Sequence, residues 1–202
     1  MLDDVRVVKN VGRYIIGRGA ISKIRDELDA RRHVDSGRVI FFIDWYFKGN
    51  TEAARDLNVT DLDLVFFVDT SREPTTTDID RYARRICDSI GNRPCCVVGM
   101  GGGSTMDTAK AVANLLANGG KASDYQGWDL VKQPAVYKIG IPTISGTGAE
   151  ATRTCVLTNK ETGSKLGMNS NFTVFDSVIM DPNLTSPVPR NQYFYTVMDS
   201  YI

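Results

Sequence analysis

The sequence holds a single histidine, His33, in 202 residues, and four cysteines with no C-x-x-C spacing among them. A site built on several imidazoles cannot come from these residues. A Ser-His-Asp arrangement would have to recruit His33, which reads as a surface residue near a helix C-terminus, where partial positive charge is welcome. Cys95 and Cys96 are neighbours in an expected strand, so their side chains leave on opposite faces and do not readily share a metal. With Cys87 and Cys155 they read as buried free thiols, not as a disulfide framework. Charge of one sign is missing too, since 24 Lys+Arg balance 24 Asp+Glu. With no net field, neither nucleic acid nor an anionic membrane is a default partner. No apolar run is longer than Val39 to Ile43, far short of the ~20 residues that cross a bilayer. The N-terminus lacks the basic-then-apolar pattern of a secretion signal. The expectation is a soluble, cytoplasmic chain.

What is present is ordinary for a globular protein: 42% hydrophobic residues and 18 glycines, enough for one large domain or two small ones. Short apolar runs alternate with helical periodicity. Val5 to Val8 and Tyr14 to Ile16, separated by Asn10 to Gly12, suggest a small hairpin ahead of the main fold. Ala20 to Arg32 reads as a helix with Ile21, Ile24 and Leu28 on one face. Strands are expected at Val39 to Ile43, ending at Asp44, and at Leu62 to Val68. Asp78 to Ile90 has helical spacing, acids in its first turn and Gly91 at its end. Cys95 to Val98 reads as a buried strand feeding a glycine loop and a helix, Ser104 to Asn118, closed by Gly119 and Gly120. Val136 to Ile141 is a further strand. Thr154 to Thr158 and Lys165 to Met168 flank a turn-rich stretch and form a hairpin. Ser177 to Met180 is halted by Asp181-Pro182, and Asn191 to Ile202 opens a helix. Strands this apolar, each followed by a helix or a loop of small residues, predict an α/β fold: a mainly parallel sheet with helices on both faces.

The glycine loop carries the strongest chemical signal. It runs Gly99-Met100-Gly101-Gly102-Gly103-Ser104-Thr105-Met106-Asp107-Thr108-Ala109-Lys110. Without side chains, backbone N–H groups can approach a diphosphate, and the helix dipole favours its charge. Ser104 can cap the helix or donate to a phosphate oxygen. The loop is not a Walker A, because no lysine directly follows its last glycine, and Ser104 takes the place of the third glycine of G-x-G-x-x-G. A tight strand–helix turn that binds nothing is the alternative; the density of glycines weighs against it. Asp44, at a strand's C-terminal end, suits the ribose hydroxyls of a nucleotide and would repel a 2′-phosphate, favouring NAD over NADP. Position alone serves an ordinary exposed turn aspartate equally well. Downstream, Pro142-Thr143-Ile144-Ser145-Gly146-Thr147-Gly148-Ala149-Glu150 places hydroxyls and glycines at another strand end, as common loop chemistry or as the lining of a nucleotide site.

Read together, G-M-G-G-G-S-T-M-D-T-A-K and I-P-T-I-S-G-T-G-A-E resemble the two signatures of the iron-containing alcohol dehydrogenases. Y-I-I-G-R-G-A-I, G-S-K-L-G-M and I-M-D-P-N-L-T followed by V-M-D-S stand in the expected order. The resemblance implies a Rossmann-like dinucleotide-binding α/β domain over 1–186, with 187–202 the start of an all-helical metal-binding domain. It implies that Gly101, Gly102, Gly103 and Ser104 hold the cofactor diphosphate, with Asp107 on the helix below them. Asp44 is then on the adenine ribose, Thr143, Ser145 and Thr147 line the nicotinamide side, and Lys165 lies near the nicotinamide ribose. Asp199 matches the first ligand of a divalent metal, iron or zinc, whose nearest histidine ligand would follow just past Ile202, with the later ones in the helical domain. The implied activity is oxidation of an alcohol with NAD, in a homodimer. No catalytic residue falls within these 202 residues, and the chain alone is expected to be inactive. Ile144, Glu73 and Asn171-Phe172-Thr173 depart from the family pattern, and the sequence leans toward the branch acting on sugars or sugar acids, the 3-deoxy-octulosonate 8-oxidases. A dehydroquinate synthase-like lyase shares the architecture, though the G-T-G-A-E run favours the dehydrogenase. A non-catalytic nucleotide-binding domain is the third reading.

Overall fold

The computed structural model describes residues 9–49, 55–90 and 93–201. In chain order these form β1 (Arg13–Ile16), a 3₁₀ turn (Ala20–Lys23) leading into α1 (Ile24–Asp29), β2 (Val39–Asp44), β3 (Leu64–Val68), α2 (Thr76–Ile90), β4 (Cys96–Gly101) and α3 (Gly103–Asn118). They continue with β5 (Gly127–Trp128), β6 (Lys138–Pro142), β7 (Thr154–Asn159), β8 (Ser164–Asn169), β9 (Ser177–Met180), α4 (Pro182–Thr185) and α5 (Arg190–Tyr201). The expected strand Val5 to Val8 and the helix-ending Gly91 lie outside the described residues.

Six strands form one sheet in the order β3-β2-β4-β6-β9-β1, and each neighbouring pair is parallel. The side-chain alternation of β2 shows why such a strand is apolar throughout. Ile40 and Phe42 pack with Ile79, Ala83 and Ile86 of α2 and with α3, whereas Val39, Phe41 and Ile43 pack with Ile24 and Leu28 of α1. Both faces of the strand are buried, so neither register can be polar. A second sheet, β5-β8-β7, joins the same core through Cys155, Leu157 and Met168. Its β7–β8 pair is the expected antiparallel hairpin, with Thr154 opposite Asn169. Among the described residues no helix is long and apolar enough to cross a membrane.

Three expectations change. Tyr14 to Ile16, expected in a hairpin ahead of the main fold, lie in the main sheet as edge strand β1, with Arg13 opposite Ser177 and Ile16 opposite Met180. The helix expected over Ala20 to Arg32 is shorter, a 3₁₀ turn followed by α1 ending at Asp29. Tertiary contact overrides helical propensity there: the Arg32 guanidinium is drawn onto buried Asp63 at 2.8 and 2.7 Å, and also donates to the carbonyls of Gly37 and Asn58. Cys87 is exposed, while Cys95, Cys96 and Cys155 are buried and free.

Candidate cofactor site

In the main sheet the chain steps from β2 outward to β3 and then returns to β4 on the other side of β2. Strand order reverses there, and a crevice opens beyond the C-terminal ends of β2 and β4, the place where open parallel sheets take ligands. A cavity of about 740 Å³ occupies it. Gly102, Gly103 and Ser104 form one wall, Asp44, Phe47 and Thr70 a second, Thr143, Ile144 and Thr147 a third, and Leu184, Val188 and Thr196 a fourth.

The first wall is the N-terminus of α3. Gly102 is the N-cap in an extended conformation, its carbonyl already accepts from Met106 N–H at 3.1 Å, and no side chain caps the helix. Ser104 is therefore inside the first turn, does not cap, and lines the cavity. Uncapped N–H groups at the positive end of a 16-residue helix, opening into a cavity, make an anion cradle. Three glycines are close-packed here, and a Cβ at Gly102 would lie 2.6 Å from Cδ1 of Ile144. A Cβ at Gly101 would lie 2.8 Å from both Cβ and Oγ1 of Thr105 and 3.0 Å from Cβ of Asp44. One at Gly103 would meet Thr147 atoms at 3.1–3.3 Å. Gly101 thus lets β4 end against α3 and does not itself line the cavity.

Asp44 closes β2, and its Oδ1 accepts from Tyr46 N–H at 3.0 Å and from the Thr70 hydroxyl at 3.3 Å. Asp56 also lines the cavity, whereas no Lys, Arg or His does so among the described residues. An anion here is met by main-chain dipoles and neutral hydroxyl-bearing residues and by no cation among the described residues, and two carboxylates would oppose further negative charge.

Other expected residues lie elsewhere. Ser145 is exposed and not in the lining. Lys165, on β8, forms an ion pair with Glu73 beside Thr158, whose hydroxyl donates to Glu73 at 3.0 Å. Those two partners hold the Glu73 carboxyl below its ordinary range, and the structure does not bring Lys165 to the cavity. Asp199 is an exposed residue of α5. Among the described residues no cluster of three or more His, Cys, Asp or Glu side chains could hold a metal ion. The residues described therefore do not fit a complete metal centre.

Asp107 faces away from the cavity and serves the second sheet: its Oδ2 accepts from Val156 N–H at 2.9 Å. Burial raises its carboxyl to about 6, against the opposing pull of Lys110 and the Val156 N–H. A folded pKa above the unfolded value of ~3.9 means that the native state holds this proton more tightly. The stability it contributes is complete below that value and is lost as pH rises through about 6. Asp107→Asn keeps an acceptor for Val156, so its melting temperature, measured against pH, is expected to fall less than that of the parent across this window. Superimposable profiles would contradict the assignment. Two residues were not anticipated: Asp56 in the cavity lining and Lys110 buried behind it. Lys110 left a signal, a lone cation in the apolar run T-A-K-A-V-A-N-L-L; Asp56 left none, because only the fold brings it to the crevice.

A family model described as iron-containing alcohol dehydrogenase matches residues 12–182. The chain is 29% identical over 193 residues to the NAD-dependent methanol dehydrogenase of Bacillus methanolicus, a match covering 92% of this chain and 48% of that protein. It is 41% identical over 106 residues to the sulfoacetaldehyde reductase of Bilophila wadsworthia, covering 52% and 27%. Among solved structures, the sulfoacetaldehyde reductase from Bifidobacterium kashiwanohense in complex with NAD+ superposes with a TM-score of 0.82 at 31% identity, covering 96% of this chain and 51% of the other. The chain spans about half the length, or less, of the curated relatives it matches.

Proposed function

The chain belongs to the iron-containing alcohol dehydrogenase family, and on that premise we propose that its crevice binds NAD in an enzyme that oxidises a small-molecule alcohol. The observation that carries this reading is the uncapped N-terminus of α3 opening into a cavity that also holds Asp44. Bound there, the dinucleotide would supply the hydride acceptor. The N–H groups of α3 and the Ser104 hydroxyl hold its diphosphate, while Thr143 and Thr147 bound it from the loop after β6. Asp44 accepts from a ribose hydroxyl pair, and Leu184 and Val188 offer an apolar wall that excludes water from a ring. The three relatives named above support this reading, with NAD named for two of them and an alcohol or aldehyde substrate for each. They lend no support to the sugar-acid branch. Asp199 as a metal ligand, a boundary near residue 187, a homodimer and a cytoplasmic location complete the proposal on the strength of the family resemblance.

Calorimetry with NAD+ and NADP+ tests it. NAD+ is expected to bind, and NADP+ roughly tenfold or more weakly, because a 2′-phosphate would sit among Asp44 and Asp56. Asp44→Ala is expected to narrow the ratio. Absence of binding heat with NAD+ would sink the reading, and equal affinities would sink the role of Asp44.

A further inference from the structure

Lys110 lies two turns into α3 and is completely buried. Its ammonium donates to the main-chain carbonyl of Ala149, to those of Thr152 and Thr154 at 2.9 Å each, and to the Thr152 hydroxyl at 3.3 Å. The ring of Phe175 lies 5.2 Å from the nitrogen. Burial draws the lysine's pKa down and Asp107 opposes that. The acceptor set requires the charged form, since a neutral amine lacks a proton for the third carbonyl.

Two of the three carbonyls, those of Ala149 and Thr152, belong to the stretch between β6 and β7, which has no helix or strand of its own, and the third belongs to Thr154, the first residue of β7. Left to itself, such a glycine- and threonine-rich segment would sample many paths. Here one cation draws its later half together. Ala149 is the link toward the cavity: while its carbonyl accepts from Lys110, its N–H donates to Thr147 Oγ1 at 3.2 Å. Thr147 in turn packs against Gly103, the first residue of α3. The helix whose N-terminus forms one wall of the cavity therefore reaches sideways, through Lys110, to hold the facing wall.

We propose that Lys110 is a positioning residue of the nucleotide site, acting through Ala149 to set the hydroxyl of Thr147 against the N-terminus of α3. The inference rests on the dinucleotide reading and adds to it the group that pre-orders the loop. A lysine that merely stabilised the fold would contribute independently of Thr147; one that works through it would not.

The test is a double-mutant cycle read by calorimetry with NAD+, on Lys110→Met, Thr147→Val and the double variant, with thermal melting in parallel. Lys110→Met is expected to weaken NAD+ binding roughly tenfold or more, and Thr147→Val to weaken it too. The double variant should lose no more than the worse single one. Additive losses, or Lys110→Met binding within about twofold of the parent, would overturn the proposal. Hydrogen exchange of the parent without nucleotide gives an answer even where Lys110→Met does not fold. The hydrogen-bonded amides of Ala149 and Ala151 should exchange only through global unfolding, and rapid local exchange there overturns the proposal. No heat with the parent protein would sink the dinucleotide reading alone, because exchange of the loop still decides the role of Lys110.

Discussion

Ser104→Asp is expected to abolish dinucleotide binding while leaving the protein folded and no less stable. Ser104 is the second residue of α3, half-buried and facing the cavity, with no capping duty. A carboxylate in a first turn interacts favourably with the helix dipole, by about 0.3–1 kcal/mol. The same carboxylate would stand in the place proposed for the diphosphate. Two unit charges ~4 Å apart at an effective dielectric of ~20 repel by about 4 kcal/mol, roughly a thousandfold in affinity. Binding and stability thus move in opposite directions, which separates the effect from general damage. Calorimetry with NAD+ and a melting curve on the same sample read both. An affinity within about tenfold of the parent would mean that the diphosphate is not held by α3.

Gly146→Ala should have the largest effect on the structure itself. Gly146 has a φ of +141°, and a Cβ there would overlap the carbonyl oxygen of Thr196 and lie 2.9 Å from its Cβ. Thr196 is the buried residue among those described in α5, and its hydroxyl donates back to the carbonyls of Gln192 and Tyr193 at 3.2 Å. The helix that carries Asp199 and presents Gln192 and Thr196 to the cavity is thus seated on the loop after β6 through a glycine. Backbone atoms stand on both sides of the clash, so relief requires moving either the loop or the helix. A cost of about 3 kcal/mol is expected, lowering the melting midpoint by roughly 6–12 °C. The amides of α5 should lose protection from hydrogen exchange before those of β2 and β4. Unchanged melting together with unchanged exchange in α5 would show that the two elements are not in contact.

Lys110 and Lys165 show where reading the chain in one dimension succeeds and fails. Lys165 matched a family position by its neighbours, yet the structure pairs it with Glu73, a residue the sequence marked as a departure from the family pattern. Lys110 sat in plain view inside an apolar helix, but its acceptors are carbonyls of residues 149, 152 and 154, and carbonyls carry no sequence signature. Asp107 was placed beneath the diphosphate by its neighbours in the chain. Its carboxylate points to Val156 in the second sheet, because helical rotation sets its face. The stretch Tyr14 to Ile16 had the right propensity and the wrong partner, since strand pairing is settled by what lies beside a strand in space.

Local chemistry alone was enough for the parallel α/β architecture, for the helix after the glycine run and for the carboxylate at the end of β2. Each follows from periodicity, from glycine's missing Cβ or from which residue types end a strand, and all of these are short-range properties. Tertiary packing decided the rest: which strand neighbours β1, which lysine holds the carbonyls of residues 149, 152 and 154, and that Gly146 seats α5. These depend on contacts between residues far apart in the chain, where close packing leaves room for one arrangement and main-chain groups, identical at every position, do much of the binding.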